Sequence, residues 1–385
     1  MIGDNDGMPI RSLSPNQAHA RQRAGAFLVD VRAAHERALG MAEDALGIVR
    51  EDLQADPATH LPDLDGEVLL ICQRGARSLQ VAEVLAARGY RNLWSVEGGT
   101  DAWDAAGLPM QRADVDADFS ERYSRHLRLP DVGLDGQKRL EASRVLLVGA
   151  GGLGSPAAYY LAAAGVGTLR LADDDIVDRS NLQRQILHTE ARIGTPKVES
   201  AAVALSALNP RTRIEAIRER ITSDNVERLL DGVDVVVDGA DNFPARYLLN
   251  DACVKLGKPL VYGAVHRFEG QASVFDAGRQ RGVAPCYRCL FPQPPPPESA
   301  PNCAEAGVLG VLPGVIGLLQ ATEAIKLVLK IGTPLVGRLL TYDSLGMKFR
   351  ELKLRRDDDC PMCGKSPSIH SYIDYENFCA LPGHA

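Results

Sequence analysis

Positive charge is not in excess in this chain: 43 Lys and Arg stand against 50 Asp and Glu in 385 residues, a net charge of −7. General binders of nucleic acid or of anionic membranes are normally basic, so neither partner is expected, which leaves room only for a local basic pocket around a small anion. Cysteine is scarce too, at 8 residues, which is too few for a disulfide-dense secreted scaffold. No charged-then-apolar signal segment opens the sequence, and no repeat of fixed period runs through it. The longest apolar stretch, 313–331, is interrupted by Gln320, Glu323 and Lys326, which are costly in a bilayer and suit one face of a buried helix. These absences predict a cytoplasmic protein without a membrane span. Its cysteines then serve as thiols, metal ligands or core residues.

What is present describes a globular chain: 45% hydrophobic, 24% charged, with 36 Gly and 23 Pro scattered through it. The length suits two or three domains. The segment MQRADVDADFS (110–120) is acidic and poor in apolar residues. It reads as an interdomain linker at 112–120, between a domain at 12–111 and a second at 121–385. Four consecutive prolines at 294–297 cannot continue a helix or a central strand, so 293–301 is an extended loop inside the second domain. Before the linker, strands are expected at 27–31, 68–71 and 93–96, with a helix over 79–88 ended by Gly89: a small α/β domain. After it, strands at 144–148, 168–172, 233–237 and 260–262 alternate with helices at 156–164, 197–208 and 245–256. That alternation predicts an α/β, Rossmann-like doubly wound sheet with ligand sites at the carboxyl ends of its strands.

The strand at 144–148 runs into Gly149-Ala-Gly151-Gly152-Leu-Gly154 and then a helix. The glycines let backbone approach a phosphate that the helix N-terminus faces. Asp173 follows 19 residues past the last glycine, where a ribose ligand belongs. This much fits NAD as well as ATP. The next segment carries Asp173, Asp174, Asp175, Ser180, Asn181, Gln183, Arg184 and Gln185, with Lys197 beyond. Hydride transfer has no use for so many polar and cationic groups. Displacement at an α-phosphate does, because charge builds on the phosphoryl oxygens and the leaving pyrophosphate.

These motifs, together with Arg122-Tyr-Ser-Arg125-His, Gly194-Thr-Pro-Lys197-Val-Glu, Asp238-Gly-Ala-Asp241-Asn242 and Phe268-Glu-Gly-Gln271, resemble the MoeB/ThiF family of ubiquitin-activating-enzyme-like adenylyltransferases from about residue 121 onward. The resemblance implies that Gly152 contacts the nucleotide and Asp173 holds its ribose. Asn181, Arg184 and Lys197 would grip the phosphates, Asp241 would bind Mg²⁺, and Asp175 and Asn242 belong to the same nucleotide site. It also implies a homodimer, with Arg125 reaching a neighbouring subunit's ATP site. His126, His188 and His266 receive no role.

Cys286-Tyr-Arg-Cys289 and Cys360-Pro-Met-Cys363 are two CxxC pairs with 70 residues between them. Each offers two thiolates to one metal, and four complete a closed tetrahedral site for structural zinc; redox-active disulfides are the alternative reading. Both pairs match the family's zinc ligands. Cys303, just past the proline run, is either a small loop residue or a nucleophile that takes an activated acyl group. In relatives the matching cysteine forms a thioester or persulfide link to the carrier. Cys253 and Cys379 read as structural.

In the first domain, Val68-Leu-Leu-Ile-Cys72-Gln-Arg74-Gly75-Ala-Arg77-Ser78 ends a buried strand in a cysteine, then a short loop and a helix. Converging N–H groups, Arg74 and Arg77 would lower the thiol pKa and make Cys72 a nucleophile; the other reading is a core cysteine. With Leu28-Val-Asp30-Val-Arg32 and Glu97-Gly98-Gly99-Thr-Asp-Ala-Trp103, this region resembles a rhodanese domain, whose cysteine carries a persulfide. The six-residue loop Cys72 to Arg77 favours sulfur over the phosphate of related phosphatases.

Together the resemblances imply ATP-dependent adenylylation of the C-terminal glycine of a MoaD- or ThiS-like sulfur carrier ending in Gly-Gly. Sulfur would come through Cys72 from a cysteine desulfurase or thiosulfate. Molybdopterin biosynthesis is the favoured pathway, because RYSRH, SNLQRQ and the tail at 373–379 look closest to its members. Thiamin, cysteine and tRNA thiolation stay open, as does an NAD-binding oxidoreductase fused to a sulfurtransferase.

Overall fold

The computed structural model describes residues 10–294 and 307–373, so Cys303 and Cys379 lie outside the described residues. The chain divides into two compact units, Met1–Gln137 and Lys138–Ala385.

The first unit is built on a parallel sheet of five strands in the order Arg11–Leu13, Leu93–Val96, Val68–Ile71, Phe27–Asp30, Leu46–Gly47. Strands buried on both faces need apolar residues at every position, and VLLI at 68–71 supplies them. Val68 and Leu70 pack with Val81 and Leu85 on one face, while Leu69 and Ile71 pack with Trp103 on the other. The helix after this strand is Ala76–Ala87, earlier than the expected 79–88, because its first turn begins directly at the left-handed Gly75. The expected linker is also more structured than its composition implies. Strand Met110–Arg112 pairs with Gly40–Ala42, and Asp116 caps helix Ala117–Arg122 by accepting from the Phe119 N–H at 2.8 Å. Phe119, Tyr123 and Leu127 then pack with Leu39, Val115 and Leu134. These few apolar residues draw the division to Gln137 rather than residue 120.

The second unit holds an eight-stranded sheet in the order Arg213–Ile217, Thr168–Ala172, Arg144–Val148, Val235–Asp238, Leu260–His266, Glu269–Phe275, Arg338–Asp343, Lys348–Lys353. The first five are parallel and the last three join antiparallel. From the central strand Arg144–Val148 the chain builds outward to one side through Thr168–Ala172 and Arg213–Ile217. It then crosses back to place Val235–Asp238 on the other side. The carboxyl ends of Arg144–Val148 and Val235–Asp238 therefore flank a topological switch point, where open α/β sheets bind ligands.

Helix Leu312–Leu329 covers this sheet, packing on helix Gly154–Ala163 and strands Leu260–His266 and Glu269–Phe275. Among the described residues it alone is long and apolar enough to cross a membrane, and half of it is buried within the unit. Its buried Gln320 donates to the carbonyls of Asp238 (2.6 Å) and Val261 (3.2 Å), and its Glu323 accepts from the Leu335 N–H at 2.7 Å. These bonds, with half the helix buried, identify a core helix, in which the Gln320 Oε1 is buried without a hydrogen-bond partner.

Candidate functional site

At the switch point a cavity of about 350 Å³ opens. Its floor is the loop after Arg144–Val148, which turns so tightly that a Cβ on Gly154 would lie 1.9 Å from the Gly149 carbonyl oxygen. Only glycine fits there, and helix Gly154–Ala163 then starts with its N-terminus at the cavity. Gly152, Asp173, Asp175, Arg184, Lys197, Asp241 and Asn242 all line the cavity. Asp173 Oδ2 accepts from the Ala150 N–H (2.7 Å) and Oδ1 from the Asp175 N–H (2.8 Å). Burial pushes the Asp173 carboxyl up, against the pull of Lys197 and these two N–H donors. Each oxygen keeps a second lone pair able to accept a further hydrogen bond.

The cations are held by the chain until a ligand arrives. Lys197, 5% exposed, donates to Asp175 Oδ2 at 2.8 Å. Arg184 donates from one nitrogen to the Asn181 side-chain oxygen (2.8 Å) and from another to the Ser180 carbonyl (3.2 Å). Asn181 thus supports Arg184 and is not itself among the cavity's lining residues. Asn242 caps helix Phe243–Leu256 by accepting from the Ala245 N–H at 3.0 Å, which fixes the turn bearing the exposed Asp241. Arg125 is exposed on the first unit.

Two supporting residues carried no role in the sequence reading. Buried His188 bridges Ser200 Oγ and the Ala150 carbonyl, each at 2.9 Å, while the Ala150 N–H binds Asp173, so the peptide groups on both sides of Ala150 are fixed. Burial holds the His188 ring below its usual pKa, which suits a neutral ring accepting at one nitrogen and donating at the other. Arg246 donates to the carbonyls of Ala240 (2.9 Å) and Gly263 (3.2 Å), tying the turn after Val235–Asp238 to the middle of strand Leu260–His266. Beside it, burial pushes the Asp238 carboxyl up to about 6, opposed by the Arg246 charge. The available signal for Arg246 was its place in the first turn of a helix capped by Asn242.

In the first unit, Cys72 ends strand Val68–Ile71 with its Sγ 3.2 Å from the Gly75 N–H and 3.5 Å from Ser78 Oγ. Burial alone would raise this thiol. Hydrogen bonds from Ser78 and from the N–H groups of Ser78, Arg74 and Gly75 outweigh it and leave the pKa below the ordinary value. Gly99 packs behind the loop, where a Cβ would meet the Cys72 carbonyl oxygen at 2.0 Å. Arg77 is not a free cation: Glu36 takes it bidentately at 2.7 and 2.8 Å.

The four thiols of Cys286, Cys289, Cys360 and Cys363 lie within 4.8 Å of one another, and the cluster could hold a metal ion. Cys286 and Cys360 are 3.6 Å apart, Cys289 and Cys363 3.4 Å. Ligands at about 2.3 Å on a tetrahedral ion stand roughly 3.8 Å apart, so the set fits. Both pairs face one point, which a shared ion needs and two separate redox disulfides do not. Cys253 is buried in the core, and burial pushes its thiol up.

Residues 123–362 match the ThiF family and residues 14–106 the rhodanese-like domain. Over 262 residues the chain is 53% identical to the sulfur carrier protein adenylyltransferase of Thermus thermophilus, across 68% of this chain and 97% of that protein. The SAMP-activating enzyme E1 of Haloferax volcanii is 52% identical over 269 residues, 69% of this chain and 97% of its own. The adenylyltransferase and sulfurtransferase MOCS3 of Mus musculus is 50% identical over 271 residues, 70% of this chain and 58% of its own. Among solved structures, E. coli MccB shares the fold, with a TM-score of 0.56 over 71% of this chain and 81% of its own at 20% identity.

Proposed function

Because the chain belongs to the ThiF family and carries a rhodanese-like domain ahead of the ThiF region, we propose that it adenylylates the C-terminal glycine of a ubiquitin-like sulfur carrier and supplies the sulfur for a thiocarboxylate. The observation that carries this reading is the convergence of Asp173, Arg184, Lys197 and Asp241 on one cavity at the switch point. A carboxylate is a poor acyl electrophile, and exchanging its oxygen for an adenylate leaving group corrects that. The glycine carboxylate attacks the α-phosphorus of ATP and pyrophosphate leaves. Asp173 holds the ribose, Arg184 and Lys197 follow the charge onto pyrophosphate, and Asp241 would hold Mg²⁺, which would neutralise phosphate charge when bound. Arg125 belongs to a partner subunit's nucleotide site in a homodimer.

The Cys72 thiolate takes a sulfane sulfur from a donor, a desulfurase persulfide or thiosulfate, whose remaining sulfur group leaves. The outer persulfide sulfur attacks the acyl-adenylate and expels AMP. A reducing thiol from solution then breaks the S–S bond to release the thiocarboxylate, leaving a mixed disulfide on Cys72 that a second such thiol reduces. Cys303 is the candidate for a transient acyl link to the carrier, displacing AMP and displaced in turn by the persulfide sulfur. The setting is the cytoplasm, and molybdopterin biosynthesis is the pathway consistent with the MOCS3 relatives. ATP–pyrophosphate exchange tests the reading: exchange is expected only with a carrier ending in Gly-Gly, and none with any such carrier overturns it.

Zinc is the ion assigned to the four thiols, in a structural role without an open position. Metal analysis should find one zinc per chain, and Cys286→Ala should lose it with a melting temperature lower by roughly 10 °C. Full zinc in Cys286→Ala would exclude the shared site.

A further inference from the structure

Helix Leu312–Leu329 has Pro313 at the nucleotide cavity, whereas Lys326 and Leu327, about 20 Å along its axis, border a second cleft that shares no lining residue with the first. This cleft encloses about 790 Å³, larger than a lone phosphate needs and within the range of sites that take drug-sized ligands. Its walls come from the loop at 276–285, the helix end with its following turn at 326–337, and residues 353–356.

The net charge of the chain is −7, yet six cations line this cleft, Arg279, Lys326, Lys330, Lys353, Arg355 and Arg356, against one carboxylate, Asp276. Three of the six are held: Arg279 by Asp276 at 2.7 Å, Lys326 by Glu323 at 2.6 Å, and Arg356 by Asp358. The side chains of Lys330, Lys353 and Arg355 are exposed and have no ion-pair or hydrogen-bond partner among the described residues. Lys330 stands at a left-handed helix cap (φ 59°) that glycine would occupy without strain. The surface between the cations is apolar: Leu327, Ile331, Val336 and Leu354 are half-buried there, and Val283 is 75% exposed.

We propose that this cleft docks a short acidic segment of a partner polypeptide, its carboxylates on Lys330, Lys353 and Arg355 and its apolar side chains on the surface between them. Charge complementarity selects the sign, and the apolar surface selects a peptide over a bare anion. No aromatic ring lines the cleft, so it lacks the stacking platform that single-stranded nucleic acid uses. The acidic chain as a whole repels a long polyanion, whereas a short segment feels mainly the local cations.

The test uses the full-length zinc-loaded protein and a fluorescein-labelled peptide of alternating Glu and Leu, followed by fluorescence anisotropy. Saturable binding that weakens with salt is expected. The Lys330→Glu/Arg355→Glu variant should weaken it by roughly tenfold or more, while ATP binding and melting temperature stay as in the wild type and certify the fold. Equal binding by the variant overturns the proposal. So does displacement of the peptide by inorganic phosphate at comparable concentration, which would mark a small-anion site. Tighter binding of a labelled RNA oligonucleotide at equal salt would also overturn it, in favour of a nucleic-acid surface.

Discussion

Replacing Lys197 with alanine is expected to lower carrier-dependent pyrophosphate exchange by about 10²–10³-fold. The size follows from where the ammonium sits. It is 5% exposed on the first turn of helix Lys197–Leu208, at the wall of the nucleotide cavity. With little water around it, its charge acts through low dielectric on any phosphate that enters. Before binding, its partner is Asp175 at 2.8 Å, whose side chain is 65% exposed. That carboxylate is easily rehydrated, so the lysine can be drawn to the phosphates at small cost. In Lys197→Ala, Asp175 stays in water and Asp173, though it loses the nearby cation, keeps the Ala150 and Asp175 N–H donors, so the melting temperature should stay near the wild-type value. The loss should fall on turnover more than on nucleotide affinity, because negative charge on the leaving pyrophosphate is greatest as the P–O bond breaks. Lys197→Arg should not restore full rate, since a planar fork replaces a compact point charge in a buried position. Exchange within about threefold of wild type would remove Lys197 from the phosphate clamp.

The parts of this molecule that were legible in its sequence are those where backbone geometry restricts residue type. Gly154 cannot be anything else with the Gly149 carbonyl beneath it, and the carboxylate at 173 takes the N–H groups of both Ala150 and Asp175. The paired cysteines read as ligands because a closed tetrahedral site needs four thiolates and CxxC spacing supplies them two at a time. What escaped lies where several residue types would serve. Strand Lys348–Lys353 is exposed along its whole length at the sheet edge, so no burial pattern marks it. The expected strand at 260–262 extends to His266 because its far end pairs with Glu269–Phe275 and needs no continuous apolar run. His188 and Arg246 act by holding carbonyl groups that only the folded chain brings near them. Residues 112–120 look like a linker by composition, yet Val115 and Phe119 pack there with Tyr123, Leu127 and Leu134 of the segment that follows.

Cys72→Ser is expected to cut sulfur transfer by about 10³-fold or more while leaving pyrophosphate exchange intact. Serine keeps the size of the side chain but cannot hold a sulfane sulfur, and its hydroxyl does not ionise in the accessible range. The two activities separate because Cys72 belongs to a unit that the nucleotide cavity does not draw on. The pH dependence gives a second reading of the same thiol. Below its pKa Cys72 is a protonated, unreactive thiol, and reactivity rises as pH passes upward through that value. Burial works against ionisation here, but the Ser78 hydroxyl and the N–H groups of Ser78, Arg74 and Gly75 favour the thiolate more strongly. Half-maximal alkylation by iodoacetamide should therefore fall below the free-cysteine value of about 8.5. Ser78→Ala removes the largest of the favourable interactions and should move the midpoint upward. The Ser78 hydroxyl also binds the Gly75 carbonyl and Ser95, both at 2.9 Å, so melting temperature must be followed alongside the titration. An unchanged midpoint in a folded Ser78→Ala protein would leave the backbone donors alone to activate Cys72. Sulfur transfer persisting in Cys72→Ser would move the persulfide to another thiol of the chain.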